Sequence, residues 1–304
     1  MFKIPSRFYL CPVIAVLAAV APGFGQTIQV PSQASLQTAI DTVADGGVIE
    51  IATGTYPATS GGFLIANPAK NFTIRAAGGA TVVLDGGGTS KVLWYTAGSA
   101  ATRGSVVFEG LTVRNGYSTV TGQAGGVTLT NADATFRDCI FESNTHDSES
   151  GHGGGVGVYA GSTATFVDSL WQDNVARGAS AGLRVGGEST VRVYRSRFIG
   201  NRTNLPGHRP SATGGAISVV NAKLWVTDTR FEGNQAGFAG GAIYALGEYQ
   251  DPVSVPHADV TAANCTFEDN HAVPDPGVST PSPTEGGAIH SENQTRVRIF
   301  NSRL

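Results

Sequence analysis

The sequence holds 304 residues with 23 acidic and 20 basic side chains, a formal net charge of −3. An acidic balance with no aromatic-lined basic groove excludes nucleic acid as a natural partner. Glycine, at 41 residues, stands near twice its usual share of about 7%, the mark of a chain with many corners.

The first 25 residues read as a removable export signal. Lys3 and Arg7 form a basic start, Tyr9 to Ala21 an apolar stretch, and Gly23-Phe24-Gly25 a small-x-small cleavage site, so the mature chain is expected to begin near Gln26. A membrane anchor is the competing reading, but the apolar stretch is short and Pro12 and Pro22 interrupt it. No lipoprotein box precedes Cys11, and no later segment resembles a transmembrane helix. Export implies a secreted or cell-surface protein.

A short amphipathic helix follows, from Ser35 to Val43. Ser35 is placed to cap it, Leu36, Ala39, Ile40 and Val43 share a face, and Gly46-Gly47 stop it. Its expected role is a lid on the open end of a core.

From Gly47 to the end two phrases recur in step. One is an aromatic-x-x-Asn box at Phe141/Asn144, Trp171/Asn174, Phe198/Asn201, Phe231/Asn234 and Phe267/Asn270, with Leu111/Asn115 as a looser forerunner. The other is a Gly-Gly-apolar box at Gly125, Gly154, Gly214, Gly240 and Gly286, with Ala181-Gly182-Leu183 a degenerate member. From Asn115 the Asn positions step by 29, 30, 27, 33 and 36 residues, a repeat that tolerates insertion. Between the boxes apolar residues alternate, as in Val191-Arg192-Val193-Tyr194, which indicates half-buried strands.

Units of this size predict an all-β, right-handed parallel β-helix (solenoid) with a short N-terminal capping helix. A propeller needs blades of about 40–45 residues and hairpins that the sequence lacks. The prediction is one domain over residues 26–304, of roughly nine coils and about 43 Å. A small residue sits two before each aromatic (Cys139, Ser169, Ser196, Thr229, Cys265), facing inward beside an aromatic column. Each Asn is expected to take a left-handed corner conformation and to hydrogen-bond along the stack. Cys139 and Cys265 share one slot four coils apart, roughly 19 Å at the rung spacing. A disulfide needs Cα atoms within about 7 Å, so two buried free thiols are expected. Leu304 aligns with the next aromatic, which suggests a chain truncated at its C-terminus with an anchoring domain beyond it.

Insertions at residues 145–153, 202–213 and 271–285 fall at one corner on alternate coils, and a second bulge spans 246–258. Such loops carry binding sites in solenoids. His146, His152, His208 and His271 lie in the aligned insertions, but without metal-ligand spacing, so no metal site is expected. Charge is more informative. Residues 177–209 carry seven arginines against Glu188 alone, a net of +6; without Lys3 and Arg7 the mature chain carries −5. Arg184, Arg192 and Arg197 are expected to stack into a basic band suited to carboxylate or sulfate. The candidate ligand-binding residues are Arg184, Arg192, Arg197, Arg202, His152 and His208; no catalytic residue is assigned.

Over residues 105–304 the Gly-Gly-Ala-Ile and Phe-x-x-Asn boxes resemble the repeats of the polymorphic outer membrane protein family of autotransporters. That resemblance implies a surface-displayed adhesive passenger with a C-terminal membrane barrel, which this sequence does not include. Residues 47–56, after the helix, look like the opening of pectate-lyase-like β-helices. This second resemblance implies action on acidic polysaccharides: a base, for which an arginine is one candidate, removes the proton α to a uronate carboxylate while a cation neutralises that carboxylate. Calcium is called for only in this lyase reading, and no acidic calcium cluster is visible. Gly151-His152-Gly153 looks like one box of the polygalacturonase-type glycosidases, without its paired carboxylates. The sequence reading is therefore an exported module that binds acidic polysaccharide or a host or cell-surface glycan. The alternative is a polysaccharide lyase or related enzyme, and a structural stalk is the third option.

Overall fold

The computed structural model describes residues 25–66, 69–98, 103–149, 152–203, 212–247, 257–273 and 285–304. The export signal lies outside the described residues except for Gly25. Three long parallel sheets wind around one core. The first has ten strands, from Thr27–Val30 through Gly47–Ile51 to Thr295–Phe300. The second has eight, from Gly54–Pro57 to Thr266–Glu268, and the third has eight, from Phe63–Ala66 to Ile289–Asn293. One coil shows the order: Thr163–Val167 in the first sheet, Leu170–Gln172 in the second, the corner strand Val175–Ala176, then Leu183–Gly186 in the third.

The alternation read from the sequence is the burial pattern of the strands. In Thr190–Tyr194, Val191 and Val193 are fully buried and their neighbours face outward. Register keeps like above like, pairing Phe136 with Phe166 and Phe141 with Trp171. The rings of Phe141, Trp171, Phe198, Phe231 and Phe267 therefore form a continuous stack, with centroids 5.0, 4.3, 5.0 and 4.7 Å apart. Each contact adds about 0.5–1.5 kcal/mol beyond the area it buries.

The five asparagines form a buried ladder. Each of Asn144, Asn174, Asn201 and Asn234 donates from Nδ2 to Oδ1 of the next, at 3.0, 2.9, 2.9 and 2.9 Å. The left-handed corner conformation belongs to the residue before each of them, Ser143, Asp173, Gly200, Gly233 and Asp269, not to the asparagines as expected. The corner turns one residue early so that the Asn side chain can face inward. Asn115 is not a ladder member: Gly116 occupies that slot, and its N–H donates to Asn144 Oδ1. The glycine pairs also divide their work. Gly240 has a φ of +66°, whereas Gly241 is needed because a Cβ there would collide with the Gly287 carbonyl oxygen of the next coil.

The capping helix spans Gln33–Thr42, two residues earlier than the sequence suggested. Its N-cap is Ser32, with Ser35 Oγ donating to the Ser32 carbonyl at 2.7 Å. Leu36, Ala39, Ile40 and Val43 pack into the core as expected. The strand Thr27–Val30 before the helix, missed in the sequence reading, adds a first rung beside Gly47–Ile51. Cys139 and Cys265 are buried free thiols. Among the described residues no helix is long and apolar enough to cross a membrane.

Candidate functional site

The three arginines expected to form one band lie on three different faces. Arg184 is in Leu183–Gly186 of the third sheet, between Gly157 and Ser218. Arg192 is in the first sheet between Thr165 and Trp225, with its guanidinium 5.1 Å from the centre of the Trp225 ring. Arg197 is exposed in the second sheet, between Leu170 and Arg230. All three belong to one coil, and the corners at Gly187 and Arg195 (φ +58° and +47°) rotate the outward direction between them. The excess charge of this segment is also partly met by acids one coil away: Arg177 pairs with Asp147 at 2.7 Å and Arg195 with Asp168 at 2.8 Å. Arg202 is exposed at a corner, bridging Val175 and Gln235. His208 lies outside the described residues.

Arg184 and His152, in contrast, line the same cleft. It holds about 320 Å³ over the third sheet, and Tyr244, Leu246, Val220, Phe238, Glu149 and Glu292 line it with them. The floor is the outward row Gly157, Arg184, Ser218, Tyr244 and His290, set side by side by strand register. The wall is a ladder of corner bridges, His152 to Ala179 to Thr213 to Ala239 to Glu285. Four rungs of about 4.8 Å make a trough roughly 19 Å long, parallel to the axis of the coils. His152, Thr213 and Glu285, at or next to the C-terminal ends of the insertions 145–153, 202–213 and 271–285, lie on this wall.

Arg184 is half-buried near one end of the floor and donates from a terminal guanidinium nitrogen to Ser218 Oγ at 2.7 Å. At the end nearer Arg184, Tyr159 donates to the His152 carbonyl at 2.8 Å, and burial pushes its hydroxyl up to about 12. At the far end, Tyr244 lies parallel to His290 with ring centroids 5.7 Å apart. His290 sits between Glu292, at 3.0 Å, and Glu285, at 3.4 Å. Burial, and then the charge and hydrogen bond of Glu292, push the Tyr244 hydroxyl well above the usual phenol range. The cleft thus presents one guanidinium with protonated phenols and carboxylates along its length.

His146 does not join His152. It turns inward and is fully buried, with Nε2 3.0 Å from the Val120 carbonyl, while neighbouring Asp147 pairs outward with Arg177. Among the described residues no group of three His, Cys, Asp or Glu side chains is arranged to hold a metal ion. The calcium of the lyase reading therefore finds no fitting donor set among them.

Tyr244, Glu292 and Glu285 escaped the sequence reading. A signal was present for Tyr244: aligning the boxes at Leu183, Ile217, Ile243 and Ile289 brings Arg184, Ser218, Tyr244 and His290 into one column.

Residues 61–272 match the family described as right handed beta helix region. The chain belongs to that family. Residues 264–292 also match the Chlamydia polymorphic membrane protein repeat. A curated relative, the "Probable autotransporter YfaL" of Escherichia coli (strain K12), is 30% identical over 102 residues, which are 32% of this chain and 8% of that protein. The chain thus matches only a small part of that relative's length. Among solved structures, pectate lyase Pel9A is similar over 93% of this chain and 80% of its own, at 15% identity and a TM-score of 0.50. The PL6 family alginate lyase AlyGC is similar over 95% and 42%, at 16% identity and a TM-score of 0.49. At these identities the likeness is one of fold.

Proposed function

We propose that the protein is a carbohydrate-associated β-helix whose third-sheet cleft binds an acidic polysaccharide. Arg184 pairs with a sugar carboxylate. The observation that carries this reading is the half-buried Arg184 guanidinium, steadied by Ser218 on the floor of an elongated trough. A planar fork held in place favours a planar carboxylate. Phenols and carboxylates along the same trough suit a ligand rich in hydroxyl groups. A solved structure of the same fold is a pectate lyase, which supports a carbohydrate ligand by analogy.

A second reading, a lyase, is favoured by Tyr244. Its hydroxyl is kept protonated beside the His290–Glu292 pair, which suits a donor of the proton taken up by the leaving glycosidic oxygen. Arg184 would then neutralise the uronate carboxylate, and Glu149 or Glu292, the carboxylates of the lining, would accept the proton α to it. The residues 1–25 pattern supports export, and the repeats that match the Chlamydia membrane protein family support display at a cell surface. N-terminal sequencing of protein collected outside the cell should begin near Gln26.

The test is affinity electrophoresis and product analysis on a panel of uronate, sulfated and neutral polysaccharides. Charge-assisted hydrogen bonds contribute about 1.5–3 kcal/mol, so Arg184→Ala should weaken binding roughly 10- to 100-fold. Unsaturated sugar ends that vanish in Tyr244→Phe, with binding kept, would establish the lyase. Equal binding by wild type and Arg184→Ala would overturn the proposal.

A further inference from the structure

The cleft is not uniformly basic. Among the described residues its lining holds one guanidinium, Arg184, and two carboxylates, Glu149 and Glu292, so their formal charge is +1 − 2 = −1. A third carboxylate, Glu285, stands at the far end of the wall beside His290. Register fixes the order along the trough. Arg184 lies three strands from the strand of Glu292, across Ser218 and Tyr244, which is about 14 Å at the rung spacing. Glu149 and His152 lie on the other side of Arg184, toward the coil that carries Gly157.

From this order of charges we infer that the cleft selects a polysaccharide in which an isolated uronate is flanked by neutral sugars, and discriminates against a run of consecutive uronates. The inference rests on the carbohydrate reading of the cleft and names its substrate class. One carboxylate sits on Arg184. The neighbouring sugars meet the Val220 and Leu246 side chains and the Tyr244 ring, then Glu149 or Glu292, which accept hydrogen bonds from hydroxyl groups. A second carboxylate within the trough would face Glu149 or Glu292, and the described lining residues hold no further lysine or arginine. Like charges brought together in a partly desolvated cleft are a strong means of rejecting a wrong partner. The Glu292 charge is already felt at Tyr244, whose ionisation burial and that carboxylate suppress. The arginine-rich composition of residues 177–209 hides this selectivity, because among the described residues of that segment Arg184 is the arginine that lines the cleft.

The experiment compares binding of the purified protein to unsulfated hyaluronan, which alternates a uronate with a neutral sugar, and to polygalacturonate, a run of uronates. Chains of matched length are titrated at one fixed salt concentration. Hyaluronan should bind at least about tenfold more tightly. The nearly isosteric double variant Glu149→Gln/Glu292→Gln, checked for an unchanged thermal midpoint, should strengthen polygalacturonate binding until the gap closes. Arg184→Ala should weaken both ligands. Polygalacturonate bound as tightly as hyaluronan, with Arg184→Ala still weakening both, would overturn the selectivity and leave the carbohydrate reading standing. A gap that persists unchanged in the double variant would also overturn it. Binding to neither polymer would overturn the inference and the reading beneath it together.

Discussion

Replacing Asn201 by Ala tests the physical account of the fold at its centre. Asn201 is fully buried, and its amide makes four ladder bonds. Oδ1 accepts from the Asn174 backbone N–H at 3.2 Å and from Asn174 Nδ2 at 2.9 Å. Nδ2 donates to the Trp171 carbonyl at 3.0 Å and to Asn234 Oδ1 at 2.9 Å. After truncation, Asn174 Nδ2 still reaches the Phe141 carbonyl and Asn234 Oδ1 still accepts from the Asn201 backbone N–H. The Asn174 N–H loses its partner, whereas the Trp171 carbonyl keeps its place in the parallel pairing with Arg197–Ile199. A buried group left without a partner costs about 1–3 kcal/mol, so the substitution should cost about 1–3 kcal/mol, with any lost packing added to it. Asn270→Ala releases the analogous Asn234 N–H, while Phe231 keeps its strand pairing. That site is 9% exposed, so water can enter and the loss should be smaller. Guanidinium unfolding followed by far-ultraviolet circular dichroism, on both variants and the wild type, gives the two losses. A loss below about 1 kcal/mol at Asn201, or a larger loss at Asn270, would refute the reasoning that buried, water-excluded orphans set the penalty.

Two further outcomes follow from buried titratable groups. Burial pushes the Cys139 thiol up to about 12, so it stays protonated and unreactive toward a disulfide reagent at pH 8 and reacts only on unfolding; fast labelling of Cys139 in the folded protein would contradict this. Burial also depresses the His146 imidazole below its ordinary 6.5. The unfolded chain then takes up a proton that the folded chain resists, so stability should fall as the pH drops through about 6.5 toward 5. Thermal midpoints across that window, for wild type and His146→Gln, check the sign; a slope unchanged in the variant would exclude His146 as the cause.

Much of the coil was legible because its causes are local and repeated. Alternating Val191 and Val193, the aromatic column and the inward slot of Cys139, Ser169 and Ser196 each follow from neighbouring residues and a constant register. The forerunner box was misread by a residue or two because Leu111 and Asn115 have the right chemistry, whereas register puts Val113 and Gly116 in the aromatic and ladder slots. The lid helix was legible from its apolar face. Its start was not, since both Ser32 and Ser35 are plausible caps and only the packed chain selects between them.

The amino-acid sequence on its own determined that this protein is a stack of parallel coils, because a repeated box with period-two alternation leaves a chain few other ways to bury its apolar residues. Only the tertiary structure decided which outward side chains meet. Arg184 and Arg197 are thirteen residues apart yet face different sides, because two positive-φ corners turn the chain between them. Tyr244 and Glu292 are 48 residues apart yet touch across adjacent rungs, because strand register sets Ile243–Gly247 beside Ile289–Asn293. Direction at a corner and the register after a loop depend on the whole stack, and the cleft is built from both.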